Sequence, residues 1–142
     1  MLHNKDNFDF AYFLKKNVEG YEGAHSVVIK KAPLLYETAV KLLRDVQVHS
    51  HLRLKLLSAI GYFIIPNDIY PEDEHGPIGY VEDIMLLIHI FREINNSKGK
   101  APLVRNWSGN EEELGLLLGR DFEELKKAFP MLFEEVIKFT GI

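Results

Sequence analysis

Apolar residues recur along this chain every three or four positions between scattered prolines and glycines, and no Val/Thr-rich run alternates with a period of two. The pattern predicts an all-α protein. A first helix is expected over 7–18, with Phe8, Ala11, Tyr12, Leu14 and Val18 recurring on one side ahead of Gly20. The segment 22–29 has no clear period. Pro33 suits the first turn of a second helix, whose stripe is Leu35, Ala39, Leu42 and Val46. A third helix is predicted over 51–65 and stops at Pro66, which cannot donate the next backbone hydrogen bond. His51, Lys55, Ser58 and Tyr62 form its only polar stripe, so this helix is expected at the centre of the fold, with Ile60, Phe63 and Ile64 innermost.

A fourth helix is predicted over 80–95, with Glu82, His89, Arg92 and Glu93 on one face that is expected to be solvated. The polar stretch 96–107 reads as a loop. Ser108 and Glu111 have capping-box spacing and open a short helix ending near Gly119, and Asp121 with Glu124 repeats the signal. Pro130 starts a last helix with Phe133, Val136 and Ile137 inward and Gly141 at its end. These segments predict a compact bundle of about six to seven helices around a central helix-loop-helix, and a length of 142 residues makes 1–142 one domain.

Hydrophobic residues form 46% of the chain and charged residues 27%, the balance of a globular protein. A net charge of -4, with the lysine pairs at 15–16, 30–31 and 126–127 scattered, argues against nucleic acid as a partner. The absence of cysteine excludes disulfides and thiolate chemistry and fits a reducing compartment. The amino terminus lacks a signal-peptide pattern, and the longest nearly apolar run, 54–65, is shorter than the roughly 20 residues of a transmembrane helix. A cytoplasmic location without a membrane span is expected.

Candidate chemistry gathers at the corner between the third and fourth helices. The corner reads Pro66, Asp68, Pro71 and Glu72, then Gly79, Glu82 and Asp83. This pattern resembles the YkvA-like family, a bacterial domain of unknown function whose signature is Pro-Xaa-Asp-Xaa-Xaa-Pro-Asp followed by Gly-Xaa-Xaa-Asp-Asp. The resemblance covers roughly 54–94. Glu72 and Glu82 stand where the family usually has Asp, and 73–78 is slightly longer than usual. The family implies no established activity, though some relatives look membrane-associated.

On the wheel of the fourth helix, Asp83 lies among Leu87, Ile90 and Ile94 and is directed inward, where an ionised carboxylate needs hydrogen bonds, a charge partner or a cation. Three readings follow. Asp83 is a structural acceptor near the helix start, with Asp68 in an Asx-turn after Pro66 and with Pro66, Pro71 and Gly79 shaping the loop. Alternatively, Asp68, Glu72 and Asp83, with His75 in the same acidic loop beside Asp73 and Glu74, hold a divalent cation. The third reading is a catalytic acid of raised pKa. The loop lacks EF-hand spacing.

His49 and His51 could also clip a metal, but surface histidines are the commoner case, and His89 is too far from Glu82 along one helix for contact. Trp107 beside Arg105 is either an exposed partner anchor or, the commoner case, folded back onto the core. The sequence has no nucleophile elbow, phosphate-cradling glycine loop or zinc helix. Two functions remain in view: a non-enzymatic interaction or structural module, binding a protein partner or itself, and a divalent-metal-dependent, hydrolase-like enzyme using Asp68, Glu72 and Asp83. Peripheral membrane attachment is a third, dependent on an uncovered apolar face.

Overall fold

The predicted apolar stripes fold as helices, and no strand occurs among the described residues. The computed structural model describes residues 9–64 and 79–140, apart from the side chains of 62, 135, 136, 139 and 140. In chain order the helices are α1 (Phe10–Val18), α2 (Ser26–Ile29), α3 (Ala32–Leu42), α4 (Ser50–Ile64), α5 (Val81–Lys98), α6 (Ala101–Asn106), α7 (Glu111–Leu116), α8 (Phe122–Ala128) and α9 (Pro130–Thr140). A π-helical turn, Leu117–Asp121, joins α7 to α8 without a break.

Asp9 starts α1 by accepting a hydrogen bond from the Tyr12 amide at 3.3 Å. Leu14 and Val18 are buried as expected, whereas Tyr12 is 59% exposed. The expected stripe is therefore too wide, because α1 packs mainly on α3 and needs only a narrow seam. Phe8 lies outside the described residues. In α3, Leu35, Ala39 and Leu42 are buried, but the helix stops at Leu42 and the chain turns away, leaving Val46, assigned to the same stripe, 88% exposed.

The centre of the bundle is α5, not the expected third helix. Every residue from Val81 to Ile88 is buried, because α3, α4, α6, α8, α9 and the π turn surround this helix. By contrast, α4 is one-sided. Leu52, Leu56, Ala59, Ile60 and Phe63 point into the core, while Ile64, expected with them, is 49% exposed. Phe63 fits between Tyr36 of α3 and Tyr80 just before α5, with ring centroids 6.2 Å apart on each side.

The expected loop at 96–107 is largely helical. The central helix runs on to Lys98 and ends where Gly99 takes φ 78°, a conformation that glycine adopts without strain. Pro102 then sits in the first turn of α6. Arg105 and Asn106 reach back to Asp45 after α3, with Arg105 Nη2 to Asp45 Oδ1 at 2.7 Å, Arg105 Nε to Oδ2 at 2.8 Å and Asn106 Nδ2 to Oδ2 at 2.8 Å. The Arg105 hydrogen bonds hold the Asp45 carboxyl well below its usual range. Trp107 is folded back, 7% exposed, and its indole N–H donates to the Asn110 carbonyl at 2.9 Å. It is not an exposed anchor.

The cap of α7 is Asn110, whose side chain accepts from the Glu112 and Glu113 amides, rather than Ser108. Gly119 does not end a helix and Asp121 does not cap one. The π turn carries the chain through both, because Leu117, Asp121, Phe122 and Leu125 are all buried and hold this stretch to the core. Pro130 opens α9 as predicted.

Candidate functional site

Five members of the predicted corner, Pro66, Asp68, Pro71, Glu72 and His75, lie outside the described residues, as do Asp73 and Glu74. The described part begins at Gly79 and Tyr80, a short 3₁₀ turn leading into α5, and both residues are buried. Asp83 is fully buried, as the helical wheel required. Glu82 is fully buried as well, which corrects its assignment to a solvated face. The two lie about 100° apart on the helix, so the first turn of α5 shows no side to water. A negative charge there faces the positive end of the helix dipole.

A second feature runs along the outside of α4. Leu54 is 66% exposed, Leu57 56% and Ile64 49%. With Gly61 they recur at intervals of three, four and three residues, the spacing of a seam between two paired helices. Gly61 is the anomaly in this stripe. Glycine inside a helix costs about 1 kcal/mol relative to alanine. Such a residue usually marks a close neighbour, yet a Cβ added at Gly61 would meet no atom of the described residues within 4 Å. The described residues give no internal reason for it.

A third feature is a cleft of about 330 Å³ between α5, α8 and α9. The central helix contributes His89, Arg92, Glu93 and Asn96, which share one face by their spacing. The Arg92 guanidinium lies 4.4 Å from the Phe122 ring centroid and pairs with Glu123 at 3.0 Å. Glu93 receives Lys55 of α4 at 2.9 Å and lies 3.7 Å from His89 Nε2. Burial of the His89 imidazole, opposed by Glu93, holds its pKa below the ordinary value. His89 is thus half-buried rather than on a solvated face. The sequence reading missed this cleft. Phe122 and Lys126 at i, i+4 were legible as neighbours, but the placement of Phe133 against them is a tertiary fact.

His49 and His51 are exposed and line a shallow neighbouring cleft with Glu93 and Asn96. Among the described residues no three His, Asp or Glu side chains are grouped closely enough to hold a metal ion. No helix among them is long and apolar enough to cross a membrane.

Comparison with known proteins adds a family match over the same helices. Residues 52–88 match the family described as "Protein of unknown function (DUF1232)", which spans the inner face of α4, the corner and the buried start of α5. The chain is also similar to "Uncharacterized protein ORF9" of Methanothermobacter thermautotrophicus, 24% identical over 103 residues that make up 72% of this chain and 70% of that protein. No solved structure matches.

Proposed function

We propose that this protein is a non-enzymatic helical interaction module that associates with a second copy of itself through the outer face of α4, with the YkvA-like acidic corner fixing that helix against α5. The observation that carries the reading is the exposed stripe Leu54, Leu57 and Ile64 with an unexplained glycine at its middle. A closed surface of this size would not need a stripe at helix-pairing intervals.

Self-pairing is favoured over another partner by shape and charge. In an antiparallel pair about a two-fold axis near Ala59, Leu57 of each copy faces Gly61 of the other, and Leu54 faces Ile64, so a large residue meets a notch. The cations Arg53 and Lys55 both sit in the first half of α4, and 56–64 carries no charge. Antiparallel pairing sets each basic half beside an uncharged one; parallel pairing would set like charges together.

The side chains are already about half buried, so completing their burial contributes about 1 kcal/mol each. Six such chains give about 6 kcal/mol, near the lower end of the cost of association. The pairing is therefore weak and reversible.

A divalent-metal enzyme using Asp68, Glu72 and Asp83 remains the other reading of the corner, and the complete burial of Asp83 weighs for a structural role instead. Sedimentation velocity over a wide concentration range tests the module. The wild type should shift from monomer towards dimer as concentration rises, and Leu57→Glu should stay monomeric with unchanged helicity. A wild type that stays monomeric at the highest concentration overturns the reading, as does a Leu57→Glu variant that still dimerises.

A further inference from the structure

We propose that the cleft between α5, α8 and α9 is a binding site for a tetrahedral oxyanion, the phosphate group of a small ligand, with Lys126 and Arg92 as its cationic walls. The inference is separate from the pairing of α4. Its volume of about 330 Å³ is at the small end of ligand clefts, large enough for a phosphate group with a few further atoms.

The local charge balance supports an anion. The carboxylates near the cleft are engaged already, Glu93 with Lys55 at 2.9 Å and Glu123 with Arg92 at 3.0 Å. Lys126 is different. Its ammonium lies 5.4 Å from the Phe122 centroid and 5.5 Å from that of Phe133, and none of the ion pairs among the described residues includes it. The two rings fix the position of this cation without neutralising it. The cleft therefore carries one surplus positive charge on a side chain held in place. Arg92 is stacked on Phe122 at 4.4 Å and gives its Nη1 to Glu123, so the Nε–Nη2 edge of the guanidinium is the part left to meet acceptor oxygens. Asn96 adds an amide donor at the rim.

His89 makes the site responsive to pH. The charged groups that face it are Lys55 from α4, Arg92 and Glu93 on its own helix, and Lys126 from α8, while α9 presents the Phe133 ring at 5.6 Å. Burial and the three cations disfavour the imidazolium, and Glu93 alone favours it. A bound dianion adds a second favourable charge, so binding takes up a proton and tightens as pH falls through the histidine range.

Isothermal titration calorimetry at constant ionic strength tests the site with inorganic phosphate, and with sulfate for the pH series because sulfate does not titrate there. Phosphate and sulfate should bind and acetate should not. Lys126→Gln should weaken binding about tenfold, the loss of one charge-assisted hydrogen bond, and Lys126→Arg should retain most of it. Lys15→Gln, on α1, should change nothing. The sulfate affinity of the wild type should rise from pH 7.5 to 6, and His89→Gln should flatten that rise. Thermal melts establish that each variant is folded. Binding no tighter than that of acetate overturns the proposal, as does equal weakening by Lys126→Gln and Lys15→Gln, or a pH dependence that survives in His89→Gln.

Discussion

Replacing Gly61 with alanine separates the stability of this fold from its proposed association, because the two are expected to move in opposite directions. Within α4, alanine is favoured over glycine by about 0.8–1 kcal/mol, since glycine loses more backbone freedom on folding. Among the described residues that gain is not offset by a clash, because the added Cβ meets none of their atoms within 4 Å. The monomer should be stabilised by about 1 kcal/mol, a rise in Tm of about 4 °C for a chain of this size. In the antiparallel pair the same methyl group enters the notch that Leu57 of the partner fills. Overpacking of this kind costs about 1–3 kcal/mol, so self-association should weaken about tenfold or more. Thermal melts at low concentration report the first effect, and sedimentation at high concentration reports the second. A lower Tm would show that the position is not open within the monomer. A higher Tm with unchanged association would show that Gly61 does not sit at the contact, and the pairing geometry would be wrong.

Phe63, 2% exposed between Tyr36 and Tyr80, should cost about 3–5 kcal/mol when truncated to alanine, measured by denaturant unfolding. A loss under about 1 kcal/mol would mean that the inner face of α4 is not core. If the fully buried Asp83 carboxylate is a structural acceptor, Asp83→Asn should destabilise the protein equally in chelator and in Mg²⁺, Mn²⁺ or Ca²⁺, because it weakens charge-assisted hydrogen bonds. A metal-dependent rise in wild-type Tm that vanishes in the variant would instead favour the metal-dependent reading of the corner.

Much of the fold was legible because amphipathic helices write their inner face into the sequence. Leu35, Ala39 and Leu42 of α3, Leu14 and Val18 of α1, and Pro130 at the start of α9 all occupy their predicted places. Boundaries were less legible where tertiary contacts decide them. The π turn keeps α7 and α8 continuous past Gly119, and Arg105 and Asn106 hold α6 as a helix by binding Asp45, a residue 60 or 61 positions away. No local signal carries either fact. Trp107 was read correctly as a core residue, since an indole folded onto its own chain needs only one acceptor, and Asn110 supplies it.

The candidate site shows where periodicity stops being informative. A polar stripe predicts a solvated face only when a helix has one side in water, and α5 is surrounded, so Glu82 is as deeply buried as Asp83 although the two diverge on the wheel. The opposite error occurs in α4. A nearly all-apolar circumference was read as a helix at the centre, whereas Leu54, Leu57 and Ile64 stand outside the fold. Hydropathy cannot distinguish a face buried by its own chain from one buried by a second chain, because the energetic gain has the same origin in both. Gly61 breaks that tie. A helix buried within its own fold would place a neighbour against the glycine, and among the described residues there is none within 4 Å of where its Cβ would be, so in the proposed pairing the residue that lowers helix stability makes room for the second copy.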